Sequence, residues 1–268
     1  MGIINITPDS FSDGGKIIDA ASAIKKVEAL IAQGVDIIDL GAESTRPGAT
    51  PIDEATEIQR LLPVIKALRE KFPKLALSID TYKAAVAEVA IKAGADIIND
   101  VEGARHQIDS QGSPMARICA RLNCPIILMH RRAAATDEKD FWPNFLSEIK
   151  TSVKLAHHAG IKPEQIWIDP GFGFGKTPNQ NLLLVRNLEK IAALGLPVLL
   201  GTSRKSTLGL VLNESDPLKR EAGNEVTATW GIAKGCRMIR AHDFSHLAAV
   251  IKMADTLKDS PNWAPPAP

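Results

Sequence analysis

Short apolar stretches alternate with helical stretches eight times along this chain, and that rhythm limits the fold more than any other feature. The apolar stretches lie at 2–6, 35–40, 75–79, 95–98, 125–129, 166–168, 197–200 and 237–239. Between and after them, apolar residues recur at helical spacing over 17–33, 52–71, 82–93, 115–122, 141–159, 181–194, 225–234 and 245–257. Ile24, Val27, Leu30 and Ile31 in the first of these show the pattern, and Gly34 follows as a C-terminal cap. Strands that read as unbroken apolar runs are buried on both faces, which is the mark of a parallel sheet built from βα repeats. Eight such units predict an α/β fold, a single (β/α)8 TIM barrel over 1–259 with its active site at the C-terminal ends of the strands. The 268 residues suit that fold, which typically takes about 250. The remainder, 260–268, carries four prolines and one Trp263 without periodicity and reads as a frayed tail or linker.

An internal echo fixes where the strands end. Gly34-Val35-Asp36-Ile37-Ile38-Asp39 and Gly94-Ala95-Asp96-Ile97-Ile98-Asn99 repeat one cap, strand and polar terminus, and Gly235-Cys236-Arg237-Met238-Ile239-Arg240 keeps the register. Asp39, Asn99 and Arg240 therefore stand at one level of the barrel. Asp36 and Asp96 enter at its bottom and read as structural.

Composition excludes several functions. A net charge of +1 leaves no electrostatic footprint for nucleic acid or an anionic membrane. No apolar run approaches the ~20 residues needed to span a bilayer, and acidic Asp9 and Asp13 come too early for a signal peptide. Cys119, Cys124 and Cys236 make no CxxC pair and read as reduced thiols of a cytoplasmic protein.

The polar residues at the strand ends fall into two chemical sets. Asp80, Asn99 and Asp169 suit a flat, nitrogen-rich heterocycle, because a carboxylate accepts two parallel N–H bonds from an amino-pyrimidine edge. Arg46, Arg240 and His242, with the Thr45 hydroxyl, suit phosphate oxygens, and Asn5 is placed to help hold a shielding Mg²⁺. The stretch QIWIDPGFGFGK (165–176) sends a strand into Asp169 and then into a loop holding Phe172 and Phe174 among glycines. Those rings either wall a small-molecule site or fold into the core. Three other residues carry two readings. Asp39 either meets substrate or orients loops, and Asp100 either meets substrate or supports a residue that does. His130 is a substrate contact or a satisfied buried histidine. Lys176 reads as the solvent-facing end of its loop.

These stretches together resemble one family. MGIINITPDSFSDGG, IDLGAESTRPGA, LSIDTYK, ADIINDV, IILMH, IDPGFGFGK, LLGTSRKSTLG and RMIRAHD run in the order found in the dihydropteroate synthases, of the pterin-binding barrels. The resemblance implies condensation of 6-hydroxymethyl-7,8-dihydropterin pyrophosphate with p-aminobenzoate, giving 7,8-dihydropteroate and pyrophosphate, with Mg²⁺. It implies that Asp80, Asn99, Met129, Asp169, Lys205 and Arg240 hold the pterin. Asn5, Thr45, Arg46, Arg240 and His242 would hold the pyrophosphate, with Asn5 on the metal. Phe11, Pro47, Phe174, Lys205 and Ser206 would meet the p-aminobenzoate, with Asp9 on the first closing loop. Asp80, Asp169, Lys205 and Arg240 would carry the chemistry. A homodimer through the later helices and inhibition by sulfonamides are further implications.

The chain departs from the family pattern in places. Arg131-Arg132-Ala133 replaces a frequent Met-Gln-Gly after the histidine, Glu102 replaces a small residue, and Gly223-Asn224-Glu225 stands where Gly-Ser-Leu is frequent. The usual leading segment before the first strand is not in this sequence, so either it lies upstream, as in a fusion with a pterin pyrophosphokinase, or the barrel bottom is closed differently. The alternatives to an active synthase are a pterin-binding paralogue without turnover and a methyltetrahydrofolate-dependent methyltransferase of the same superfamily.

Overall fold

Six strands pair in parallel and in chain order: β1 (Gly2–Asn5), β2 (Ile37–Gly41), β3 (Ala76–Asp80), β4 (Ile97–Asp100), β5 (Ile126–Met129) and β6 (Ile166–Asp169). In this computed structural model residues 1–6, 20–43, 50–136 and 138–259 are described. Two short strands, β7 (Leu199–Leu200) and β8 (Met238–Ile239), pair with each other. Bridges between Ile168 and Val198 and between Gly2 and Ala241 join this pair to β6 and to β1. The sheet thereby closes on itself as the predicted (β/α)8 barrel.

Alternation along each strand sorts the interior into two parts. Ile4, Ile38, Leu40, Leu77, Ile79, Ile98, Ile126, Leu128, Ile166, Ile168, Leu200 and Ile239 face outward into the main core between sheet and helices. The intervening residues face the axis. Near the strand starts these are apolar: Met1, Ile127 and Leu199 form a separate inner cluster with Ile37, Ile97, Trp167 and Met238 packed on it. That cluster fills the barrel bottom, and the Met1 ammonium donates to the Ile239 carbonyl at 2.9 Å.

Helices α1 (Ala20–Ala32), α2 (Glu54–Lys71), α3 (Ala84–Lys92), α4 (Pro114–Leu122) and α5 (Phe141–His158) follow the first five strands as expected. The second half is more divided than the predicted single helices. The stretch 181–194 starts earlier and breaks, giving α6 (Pro178–Arg186) and α7 (Leu188–Ala192). A capping box sets the start, with Thr177 and Gln180 each bonding the other's backbone N–H. The break falls at Asn187, whose side chain bonds the Leu183 carbonyl and competes with the helix. A further helix, α8 (Ser206–Leu212), forms where the sequence pattern assigns no helix, followed by α9 (Glu221–Ala233) and α10 (Leu247–Asp259). The eight predicted helices become ten among the described residues.

At the barrel bottom Asp96 is structural as expected. Its carboxylate accepts from Leu77 N at 2.8 Å and pairs with Arg69 at 2.6 Å.

Candidate active site

Two residues beyond the inner apolar cluster, the axis-facing positions turn polar. Strand register sets Asn5 beside Gly41, Gly41 beside Asp80 and Asp80 beside Asn99. Gly41 matters in that row for its missing side chain: a Cβ there would lie 3.6 Å from both Asn5 Oδ1 and the Asp80 side chain. Asp39 lies one inward step below Gly41 and is fully buried.

Arg240 gathers this wall. Its Nε donates to Asp39 Oδ2 at 2.7 Å and its Nη2 to Asp80 Oδ2 at 2.9 Å. Asn99 Nδ2 donates to the same Asp39 oxygen at 3.0 Å. Asp39 thus orients the side chains of Asn99 and Arg240, where its second sequence reading has it orienting loops. The opposite oxygens, Asp39 Oδ1, Asp80 Oδ1 and Asn99 Oδ1, are buried and accept no hydrogen bond within the described residues. An unmet buried acceptor costs about 1–3 kcal/mol. Three on one wall therefore favour a ligand that brings N–H donors.

Opposite them β6 delivers Asp169, buried, with Met129 beside it in register on β5. Asp169 Oδ1 accepts from Gly171 N at 2.7 Å, which starts the glycine loop. Gly171 and Gly175 have φ of +67° and +60°. A Cβ at Gly171 would come within 1.9 Å of the His130 carbonyl, and one at Gly175 within 2.1 Å of the Arg132 carbonyl. Only glycine admits this backbone-on-backbone approach. The two phenylalanines separate: Phe172 is fully buried in the main core, while Phe174 stays partly exposed with the Lys205 ammonium 4.6 Å from its ring centre. Lys205 also donates to the Phe172 carbonyl at 2.5 Å. The residue before it, Arg204, holds a left-handed φ of +63° and its carbonyl accepts from Arg220 at 2.9 Å. Strain of about 1–3 kcal/mol next to a site residue is maintained by such surrounding bonds.

Burial sets the electrostatics. Asp80 is pushed up to about 7, with Arg240 opposing and Asp39 adding to the rise. Burial raises Asp169 as well, against the pull of Lys205, and it lowers Lys205 to about 8 against the pull of Asp169. A ligand whose N–H groups bond Asp80 takes the carboxylate form. Binding near neutral pH is therefore expected to release protons, and affinity to fall as pH drops below 7, by up to about tenfold per unit. Calorimetric titration of an amino-pyrimidine ring compound in buffers of different ionisation enthalpy checks this. Buffer-independent heats, or affinity that rises on acidification, would contradict it.

The other sequence candidates are placed as follows. His242 Nδ1 meets Ser203 Oγ at 3.0 Å, beyond the end of β8. Ser206 is exposed and opens α8 directly after Lys205. Thr45, Arg46, Pro47, Phe11 and Asp9 lie outside the described residues. Asp100 faces away from the axis and accepts from Glu102 N at 2.9 Å and Ala104 N at 2.7 Å, which makes it a loop support. His130 is buried against Glu148 at 2.8 Å, and burial with nearby cations lowers it to about 2, so it is a neutral scaffold group. Lys176 is not the solvent-facing end of its loop: it is buried, and its ammonium donates to three backbone carbonyls.

Two of the departures from the family pattern answer each other. Arg131 Nη1 pairs with Glu102 Oε1 at 2.7 Å, and Arg105 beneath them donates to both backbone carbonyls. Asn224 accepts from Thr202 Oγ1 at 3.0 Å and ties α9 to the end of β7. Sequence reasoning missed a second buried group. Lys83 lies 2.6 Å from both Glu43 and Glu57, and the same Glu43 oxygen accepts from Ile52 N at 3.0 Å. That triad joins the two ends of the segment carrying Thr45 and Arg46. The only signal in the sequence was a lysine three residues after Asp80, and its burial shows only in the fold.

A parallel eight-stranded barrel whose mouth sets unmet buried acceptors beside an arginine and a lysine defines an enzyme of the class that binds a flat, N–H-rich ring. The family model described as pterin binding enzyme matches residues 1–242. A dihydropteroate synthase of Clostridium beijerinckii is 48% identical over 96% of this chain and 93% of that protein. The dihydropteroate synthase structure from Clostridium difficile, determined in the presence of pteroic acid, superposes with a TM-score of 0.89 at 41% identity. It covers 96% of this chain and 95% of that one. The Xanthomonas albilineans enzyme with 4-aminobenzoic acid gives 0.90 at 35% identity, over 97% and 93%. The chain belongs to the dihydropteroate synthase family of pterin-binding enzymes.

Proposed function

We propose that this chain condenses 6-hydroxymethyl-7,8-dihydropterin pyrophosphate with p-aminobenzoate to give 7,8-dihydropteroate and pyrophosphate. The observation that carries the reading is the set of unmet acceptors on Asp80 and Asn99 across from Asp169, with Arg240 fixed between two carboxylates. These suit the amino-pyrimidine edge of a pterin. Family membership, and relatives solved with pteroic acid and with 4-aminobenzoic acid, support both halves of the reaction.

The chemistry is a substitution at the exocyclic CH₂ of the pterin. Its C–O bond to pyrophosphate breaks, the arylamine nitrogen forms the new C–N bond, and that nitrogen loses a proton. As the leaving group departs, positive charge spreads into the ring. Asp80 and Asp169 are buried at the mouth and, as the carboxylates that accept the ring's N–H groups, stabilise that charge without reorganising. Arg240 and His242, with Thr45 and Arg46, are assigned to the leaving pyrophosphate, and Lys205 with Phe174 and Ser206 to the p-aminobenzoate. The arylamine is already nucleophilic, so positioning and electrostatics supply the rate.

The donor set fits Mg²⁺ as an ion carried largely by substrate. Among the described residues no group of three or more His, Cys, Asp or Glu is arranged to hold a metal. The Asn5 carboxamide oxygen lies at the mouth, 3.6 Å from where a Gly41 Cβ would stand. Mg²⁺ characteristically takes few protein ligands and completes its shell with phosphate oxygens and water. Asn5 is accordingly assigned to the ion, which would neutralise charge on the leaving group.

We also assign a homodimer through the later helices. Val226 and Trp230 share a face of α9, Met253 and Leu257 a face of α10, and all four are exposed. No described helix is long and apolar enough to cross a membrane, and a cytoplasmic location agrees with three free cysteines.

The test is pyrophosphate release by purified protein given the pterin pyrophosphate, p-aminobenzoate and Mg²⁺, against a control lacking p-aminobenzoate. Release that depends on the arylamine, with dihydropteroate formed, is expected. Tight pterin binding without release would make the chain a binding paralogue. Sulfonamides present an arylamine with an acidic para group, so they should compete with p-aminobenzoate and not with the pterin. Competition with the pterin alone would overturn the placement of Phe174 and Ser206.

A further inference from the structure

We propose that Lys176 is a positioning residue for the second substrate, clamping the aromatic glycine loop onto the end of β5 and so setting Phe174 in place. This rests on the reading of Phe174 as part of the p-aminobenzoate site. The last sheet bond between β5 and β6 is His130 N to the Asp169 carbonyl at 2.9 Å. Past that point the two chains lie against each other without a ladder, close enough that Gly171 and Gly175 tolerate no Cβ. Their carbonyls still need donors, because buried backbone acceptors are costly when unmet.

Lys176 supplies them. Its Nζ donates to the His130 carbonyl at 3.0 Å, the Gly171 carbonyl at 2.8 Å and the Phe174 carbonyl at 3.0 Å. An ammonium has three N–H bonds, and all three are used. Among the described residues no carboxylate pairs with it, and it is 6% exposed. Its service is therefore to the backbone of two loops, one of which carries Phe174 and the carbonyl on which Lys205 rests. Burial depresses the amine to about 7, with Asp169 opposing and Lys205, Arg132 and Glu148 also facing it.

The two substrates depend on this clamp unequally. Asp80, Asn99, Met129 and Asp169 lie within strands and are held by sheet bonds that do not involve Lys176. Phe174 lies beyond the ladder, where Gly173 N donates to Asn181 Oδ1 at 2.7 Å and Phe174 N to the Gly171 carbonyl at 3.0 Å. Of these two contacts and the Lys176 bond to the His130 carbonyl, the lysine alone ties the loop to the end of β5. Loss of the ammonium should move the loop-borne half of the site and leave the strand-borne half in place.

The experiment uses the full chain with Lys176→Met, which keeps the stem and removes the donors, and Lys176→Arg, which keeps a charge. Pterin affinity is measured by calorimetry, KM for p-aminobenzoate and kcat by pyrophosphate release, and stability by melting. In the methionine variant KM for p-aminobenzoate should rise between roughly tenfold and a hundredfold, the range a small misplacement produces. Pterin Kd should change little, and the sulfonamide inhibition constant should rise in parallel with KM. The arginine variant should fall between, since its planar fork cannot converge three donors on three carbonyls. It also answers the question alone if the methionine variant does not fold. Equal losses for both substrates, or an unmoved KM in whichever variants fold, would overturn the role of Lys176. A native chain that forms no dihydropteroate would instead overturn the reading of the activity.

Discussion

Arg240→Met is expected to cost more than any other single change in the mouth, in stability and in activity together. The native guanidinium neutralises Asp39 and Asp80 at 2.7 Å and 2.9 Å, and both carboxylates are buried. Removing one partner of a buried ion pair leaves uncompensated charge, which costs about 3–5 kcal/mol. In a chain of this size that corresponds to a fall in Tm on the order of 10 °C. The sign of the pH dependence follows from Asp80. Burial already raises that carboxyl and Arg240 opposes the rise, so without the guanidinium the penalty is full where Asp80 is ionised and shrinks as acid neutralises it. The Tm gap between native and variant should therefore narrow from pH 8 to pH 5. Activity should fall by at least about 10²-fold, as for the loss of one preorganised group at developing charge. Melting curves across pH with a parallel turnover assay check both. A variant as stable as the native chain at pH 8 would show that the Asp39–Arg240–Asp80 geometry is not what holds this wall.

Asp169→Asn is expected to have the second largest effect, confined to function. Shape is nearly kept, and the oxygen that accepts from Gly171 N can remain in place. The other half changes from an anionic acceptor to an amide donor, directed at ring N–H groups that are donors themselves. Losing a charge-assisted bond should weaken pterin affinity by roughly 1–3 kcal/mol, or about 5- to 150-fold. Turnover should fall further than binding, because the anion also stabilises positive charge that exists only in the transition state. Calorimetry against single-turnover rates separates the two. Unchanged pterin affinity would remove Asp169 from the pocket.

Much of this site was legible because β-strand parity is a strict code. Asp80, Asn99, Asp169 and Arg240 end their apolar runs, and the fold carries each of them to the barrel mouth. The same parity explains the residues that sequence reading left open. Asp39 has the inward parity of Ile37 and Gly41, and it became a hub for Asn99 and Arg240. Asp100 and His130 each follow an inward residue and so face the helices, where one supports a loop and the other meets Glu148. Lys176 was misread because a lysine after three glycines has no pattern that reveals three carbonyls converging from two loops. Helix α8 escaped for a different reason: it is short, starts without a side-chain cap and contains Gly209. The salt bridge between Glu102 and Arg131 joins residues on successive strand-end loops, a pairing that only the assembled barrel reveals.

The alternation between aliphatic outward residues and, at the barrel mouth, polar inward residues also limits how such a protein can change over generations. Inserting or deleting one residue within β2, β3, β4, β5 or β6 would turn acids toward the helices and aliphatic side chains toward the bound ring. Such a lineage would lose its core and its chemistry in the same step. The wall holding the heterocycle can therefore drift only by exchange of one side chain for another at a fixed lattice point. The connecting segments are bound by no such lattice and can grow, shrink and be reshuffled. An inhibitor that leans only on the strand-borne wall would leave its target few heritable routes of escape. One that leans on the connections would face many.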